Sequence, residues 1–520
     1  MFDISFSLLL QLLYGTVIAQ SYAHSIEPLD SGIDMGLLGG GKANNNSVKR
    51  GHVPLDVDGY PVAPSELELE QVHIYVRHGE RTPVGVRMAD PPANIPEHWM
   101  FCKTAREFRA AVASAADAES VNFPAVQTGQ SVEELRARRI VERRDGTAAL
   151  GECLLGELTD VGRESTYQFG SALRRLYVDR LKFLPDIVHT NDEIYLRSTN
   201  MPRTIESLQQ ITHGLYPMTK HAKAFVPLLR IRSASLTVNI FGTLPDPSAD
   251  ESWITIAAAA AWNATLEPLD KKLSKYIGGN PVRLDGKPRA SGILDTVTFV
   301  VLNTLWCLTT YEQIRAAEAH GLKVPPEFKE KGVIDLIEKA VVTEWFAAAL
   351  SVADRTEEVR RLGMGPLLSD LSEKMQAKAE KGDADLTKIL IHSTHDTCLA
   401  GLSNTLDIFD EKWPAFTASV TFELFKKRKT DVHPASPWQT FARNENKPLP
   451  FCAEEGKHLP GAPEFCTLSA FRERVKELTP DDWEAECAYS PVNKQKEREE
   501  AQAAAAQVIA KPRLPPSDSE

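Results

Sequence analysis

The chain has 520 residues, with 59 Lys and Arg against 71 Asp and Glu, a formal net charge of −12. That balance argues against nucleic acid as a partner, while a cationic pocket can still sit in an acidic protein, so small anionic substrates stay open. The length exceeds one ordinary domain and suits an α/β core with a large helical insertion.

Ile4 to Ala19 is an apolar run, and Val17-x-Ala19 suits signal cleavage before Gln20. Asp3 stands where a signal peptide carries positive charge, and the first basic residue is Lys42, so no arginine-rich presequence is visible either. Residues 1–19 therefore read as a signal-like or anchor segment. The run is short and polar for a membrane span, but an uncleaved anchor would allow membrane association. Residues 20–65 are rich in Gly, Asn and Pro and read as a flexible linker. Within them Gly36 to Ala43 nearly spells a phosphate-binding loop, without the Ser or Thr after Lys42 or a preceding strand. Asn45 and Asn263 lie in Asn-x-Ser/Thr sequons.

The strand-like run Gln71 to Val76 leads directly into Arg77-His78-Gly79-Glu80-Arg81-Thr82-Pro83. Carboxyl ends of strands are where α/β folds bind ligands. Two guanidiniums offer planar, permanently charged forks that match phosphate oxygens. Positive charge on both sides keeps His78 neutral, and neutral imidazole is a nucleophile. Gly79 allows close backbone approach and Pro83 stiffens the loop. A surface charge cluster is the plainer reading of His between two Arg, and the length of the string weighs against it.

From Val84 to Glu152 the chain reads as loop and helix. Thr159 or Asp160 is placed to cap a helical run that reaches Tyr177. Asp192 to Leu196 reads as a strand ended by Arg197-Ser198-Thr199, and Met201 to Tyr216 is amphipathic. Helical periodicity covers 253–275, 291–308, 333–350 and 364–378. Thr387 to Thr394 is a second apolar strand, followed by His395-Asp396-Thr397, where Asp or Thr could equally cap a helix. Ser419 to Phe425 alternates as a late strand, and 491–520 is a charged, Ala-rich then Pro/Ser-rich tail.

Arg77 to Pro83 resembles the Arg-His-Gly-x-Arg-x-Pro signature of the histidine acid phosphatases, branch 2 of the histidine phosphatase superfamily. His395-Asp396, Arg197-Ser198-Thr199 and Leu158 to Gly162 resemble further elements of that family, spread over roughly residues 70–490. The resemblance implies an α/β fold with a central mixed, mostly parallel sheet flanked by helices and an inserted α-helical cap. Its parts would be 66–204 and 381–490 for the core and 205–380 for the cap. It implies a phosphate monoester hydrolase in which His78 attacks phosphorus and Asp396 protonates the leaving alcohol. Arg77, Arg81, Arg197 and His395 would hold the phosphate oxygens, while Arg203 and the Leu158–Gly162 element would be structural. No metal or other cofactor is implied, and no metal-ligand spacing is present in the sequence.

Seven cysteines are an odd count. Cys466 with Leu468 and Phe471 resembles the family's Cys-Pro-Leu-x-x-Phe segment, where a disulfide is usual, with Thr467 in place of proline. This favours a Cys452–Cys466 bridge, with Cys102–Cys153 as a second pair and Cys398 a buried free thiol. Such bridges imply an oxidising compartment, in the secretory pathway or outside the cell, with mitochondrial or membrane-anchored placement as alternatives.

The segment Leu478 to Cys487 is most similar to the lysophosphatidic acid phosphatase subgroup. The apolar content of 84–100 (Met88, Ile95, Trp99) fits a lipid tail or aryl group better than an inositol phosphate. A small phosphate monoester, a lysophospholipid among them, is the expected partner. The alternatives are a phytase or inositol polyphosphate phosphatase, and, in another class, a catalytically inactive interaction protein.

Overall fold

In a computed structural model the described residues are 55–86, 88–103, 107–112, 133–223, 225–232, 263–283, 320, 322–323, 325–330, 332–350, 355–428, 440–442 and 449–486. The N-terminal apolar run, the Gly36–Ala43 segment, the Asn45 sequon, the 291–308 helix and the 491–520 tail lie outside them.

Residues 98–154 form a unit of their own. Glu107–Val112 pairs antiparallel with Glu133–Arg138, and Val141–Glu142 with Ala148–Ala149. This differs from the loop and helix expected there. The longer pair is rich in Glu, Arg and Ala and poor in β-branched residues, so its brief alternation is a weak strand signal. Cys102 and Cys153 are joined, with their Cα atoms 5.0 Å apart. Next to that bridge the buried Glu152 accepts from His98 at 2.6 Å and Arg143 at 2.8 Å.

The larger unit is built on one mixed sheet. Its strands are β1 (Leu67–Arg77), β2 (Ile194–Ser198), β3 (Leu229–Ile231), β4 (Ile389–Thr394), β5 (Ser419–Lys427), β6 (Thr440–Ala442), β7 (His458–Leu459) and β8 (Ala462–Thr467). The spatial order is β7-β8-β6-β5-β1-β4-β2-β3. β1, β4, β2 and β3 are mutually parallel, and the other half is antiparallel. β1 is thus the seam, with β4 parallel on one side and β5 antiparallel on the other. Its carboxyl end opens where the strand order changes direction, the usual place for a ligand in such sheets.

β1 and β4 are buried on both faces and read as unbroken apolar runs for that reason. On one face Val72, Ile74, Val76, Leu196 and Ile391 pack under helices α1 (Asp160–Leu173) and α2 (Pro202–Leu215). Thr159 caps α1 by accepting from Gly162 N–H, and a π-helical stretch, Arg174–Arg180, continues it. Further along are α3 (Val333–Leu350), α4 (Arg355–Lys381), α5 (Asp396–Thr405) and α6 (Leu468–Leu478). On the opposite face Tyr75, Phe422 and Leu424 pack with Leu367, Leu371 and Met375 of α4 and Phe471 of α6. Within the 205–380 segment, then, β3 is a strand of the core sheet and α4 covers one of its faces.

Residues 55–65 are not a free linker. Val57 is buried in the α1-side core, and Leu55 and Tyr60 pack against it. The Tyr60 hydroxyl donates to Glu423 at 2.9 Å, as does Tyr177. The Cys452–Cys466 pair is joined, with Cα atoms 5.5 Å apart, and Cys398 is a buried free thiol. Burial pushes that thiol up to about 12, which leaves it unreactive at neutral pH.

Candidate active site

Arg77 is the last residue of β1, and His78 begins the loop beyond it. His78 N–H donates to Thr394 O at 3.0 Å, and His78 O accepts from Thr417 N–H at 3.2 Å, which fixes the loop between β4 and β5. The turn that follows lies against the start of α1. A Cβ on Gly79 would fall on the Gly162 carbonyl, and one on Gly162 would fall on the Glu80 carbonyl. Both positions need glycine for this approach, which gives the Leu158–Gly162 element its packing role. Thr159 N–H reinforces the contact by donating to Glu80 O at 3.0 Å. Gly79 N–H donates to Ser207 Oγ at 3.1 Å, tying the turn to α2.

The His78 Nδ1–H donates to Gly79 O at 2.9 Å. That bond selects the tautomer with the lone pair on Nε2. Burial first, then the charges of Arg203, Arg77 and Arg81, holds the imidazole well below its usual pKa. His78 is therefore an uncharged imidazole across the physiological range. The His395 ring lies 5.3 Å away, nearly edge-on, and burial and Arg203 also keep it neutral. His395 Nε2 is 3.2 Å from Thr199 Oγ1.

Asp396 opens α5, where a carboxylate commonly caps a helix. Its Oδ1 accepts from Thr397 N–H at 2.8 Å, while Oδ2 turns to Arg77 at 2.5 Å and accepts from Trp413 Nε1 at 3.2 Å. Burial alone would raise this carboxyl. Arg77 first, and Arg81 after it, more than offset it and hold the group below the usual carboxylate range. Arg77 also donates to Pro414 O at 2.8 Å, and its guanidinium stacks 4.2 Å over Phe416. The 413–417 loop thus forms one wall, and nothing in its sequence announced that role.

The structure brings Arg77, His78, Arg81, His395 and Asp396 together and takes Arg197 elsewhere. Arg197 lies inside β2, in register with His392 of β4, and its side chain faces α4, 3.5 Å from Asp370. The alternation of side chains along a strand sends it to that face rather than past the strand end. Arg203, on the first turn of α2, is the guanidinium that acts most strongly on His78 and His395, ahead of Arg77 and Arg81. Ser207 Oγ donates to Arg203 O at 2.7 Å and accepts from Gly79 N–H, so the Arg203 turn and the His78 loop share one hydroxyl. The mark that could have separated the two arginines is position. Arg203 follows the strand, as Arg81 does, whereas Arg197 is still within it.

The apolar residues expected to face a substrate, Met88, Ile95 and Trp99, are buried, and Ile95 N–H bonds to Met88 O at 2.9 Å. They serve packing.

Uncharged imidazoles and guanidiniums around one hollow, with a carboxyl at its side, can hold a phosphate dianion and transfer it. Residues 68–436 match the histidine phosphatase superfamily (branch 2), and the chain belongs to that family. A probable acid phosphatase of Schizosaccharomyces pombe is 29% identical over 83% of this chain and 96% of its own. Human lysosomal acid phosphatase is 26% identical, over 64% of this chain and 72% of that one. Mouse lysophosphatidic acid phosphatase type 6 is 25% identical, over 71% and 78%. The chain is a phosphoric monoester hydrolase of the histidine acid phosphatase type.

Proposed function

We propose that His78 Nε2 is the nucleophile, Asp396 the proton donor, and Arg77, Arg81, Arg203 and His395 the phosphate cage. The observation that carries this is the Nδ1–H bond from His78 to the Gly79 carbonyl, which leaves a neutral lone pair on Nε2 of a ring set among three guanidiniums. Attack forms a P–N bond as the P–O bond to the alcohol breaks, and the leaving oxygen takes the Asp396 proton. Water then gives a proton back to Asp396, its oxygen bonds to phosphorus, and the P–N bond breaks to release inorganic phosphate and His78. The guanidiniums stabilise charge on the equatorial oxygens, which is the main contribution of the protein to such transfers.

In the free site Asp396 is held ionised by Arg77. A bound dianion offsets the cationic charge on the carboxyl, which favours its protonation when the leaving group needs it. No step calls for a metal.

The substrate is an organic monoester, and the mouse relative's lysophosphatidic acid is one candidate. Two disulfides fit an oxidising compartment, and the human relative is lysosomal by name. These support a secretory-pathway location. Among the described residues no helix is long and apolar enough to cross a membrane.

The test is hydrolysis of p-nitrophenyl phosphate at acid pH in EDTA by the full chain and its His78→Ala variant. Turnover lost in the variant supports the assignment. Equal turnover in both refutes it.

A further inference from the structure

The phosphate cage fixes one end of a substrate, and the rest of the molecule must leave past the rim of the hollow. Part of that rim is built by residues 155–157, which run beside 82–84. Thr82 N–H donates to Glu157 O and Gly156 N–H to Pro83 O, each at 2.9 Å, and Arg81 bridges Leu158. At Gly156 the backbone passes the cage directly: a Cβ there would be 2.8 Å from Val84 Cγ1 and 3.8 Å from Arg203 Nη1. Gly156 has φ +73°, so the position resists a side chain on conformational grounds as well.

Immediately outward from this point the exposed side chains are apolar. Leu155 is 53% exposed, Val86 44%, and Met201, two residues before Arg203, 37%. Single exposed apolar residues are common on any surface. Three of them lie on the segments that flank one cage guanidinium, where the rest of a bound ester would be near them. Charge points the same way. Among the described residues of 84–97 and 155–158 the charged ones are Asp90, Glu97 and Glu157, all acidic, and Arg87 lies outside the described residues. A polyphosphorylated ring would meet repulsion here, whereas an alkyl or aryl group would lose water against Leu155, Val86 and Met201.

We propose that Leu155, Val86 and Met201 form an apolar subsite for the leaving group, selecting monoesters of single-chain or aryl alcohols over small polar and polyanionic ones. This rests on Arg203 belonging to the phosphate cage. Glycine at 156 lets the 155–157 backbone close on Val84 beside Arg203, and an extended chain would lie across that backbone with its phosphate on Arg203.

The experiment measures binding of methyl phosphate, octyl phosphate and phytate to the full chain carrying His78→Ala, by titration calorimetry, beside turnover of the same esters by the unaltered chain. A fully buried methylene contributes up to roughly fourfold in affinity. A half-open rim should therefore give octyl phosphate about a tenfold or greater advantage over methyl phosphate. Adding Leu155→Ser, Val86→Ser and Met201→Ser should bring that ratio close to one, and exposed positions of this kind tolerate such changes without unfolding. Equal affinity for the two alkyl esters overturns the subsite, as does a ratio untouched by the serine variants or tighter binding of phytate. Preference for octyl phosphate in binding, with no ester hydrolysed by the unaltered chain, would sink the phosphohistidine reading and leave the subsite standing.

Discussion

The Arg77 guanidinium and the Asp396 carboxylate lie 2.5 Å apart with both side chains buried. One arginine thus serves two partners, stacking on Phe416 beside His78 while setting the charge state of Asp396. Because that contact favours ionised Asp396, the proposed protonation of the leaving group by Asp396 depends on the bound phosphate drawing charge away from it.

Asp396→Asn removes the donor while Asn can still accept from Trp413. Turnover of an alkyl phosphate should fall by about 10²–10⁴-fold, and that of p-nitrophenyl phosphate much less, since nitrophenolate leaves without a proton. Parallel steady-state rates on the two substrates check this. Equal losses would remove Asp396 from the donor role.

Arg203→Ala and Arg197→Gln should behave differently. The first takes a guanidinium from beside His78 and should lower kcat/KM by about 10²–10³-fold, as loss of one charge-stabilising donor does. The second leaves Asp370 without its Arg197 partner and should lower the melting temperature while KM stays near its original value. A large rise in KM for Arg197→Gln, with Arg203→Ala silent, would restore Arg197 to the cage.

His73, His78, His392 and His395 are all buried and held below their usual pKa, His73 at about 3. Burial is the leading cause in each. The unfolded chain binds protons at these sites below about pH 6.5 and the folded chain does not. Stability is therefore full above that value and falls as pH drops toward the folded pKa, for His73 between about 6.5 and about 3. Each such group contributes a slope of about 1.4 kcal/mol per pH unit in its window. Thermal melts from pH 8 to pH 4 should show a steep decline. Inorganic phosphate should moderate it by placing an anion beside His78 and His395. A flat profile would contradict the burial of neutral imidazoles.

Gly79→Ala and Gly162→Ala should each lower both activity and melting temperature, because either methyl would occupy the place of a backbone carbonyl across the contact. Circular dichroism melts alongside phosphatase assays check this. Normal stability and turnover in either variant would mean that the His78 loop does not rest on α1.

Much of the site was legible because its residues sit where strands end. β1 and β4 are apolar runs that stop at Arg77-His78 and at His395-Asp396, and Thr159 was readable as a cap from its place before α1. Arg197 shows where this fails. It and Arg203 follow one another on the same stretch of chain, and only the register of β2 against β4 decides that Arg197 turns toward Asp370. Tyr60 was read as linker because its partners, Tyr177 and Glu423, are 117 and 363 residues away. The wall made by Trp413 and Phe416 was equally invisible, since an aromatic in a loop gains a role only from what the fold sets opposite it. Glu107–Val112 and Glu133–Arg138 alternate only briefly and in residues of low strand preference, too weak a mark to read as strands.

The most direct test of the mechanism is to trap the intermediate. The unaltered chain is mixed with a ³²P-labelled monoester for milliseconds and quenched in alkali, where a phosphohistidine survives, and the labelled peptide is sequenced. Label on the peptide containing His78, absent from the His78→Ala chain, is the predicted result. Turnover with no labelled protein at any quench time, or label that persists in the His78→Ala chain, would contradict it.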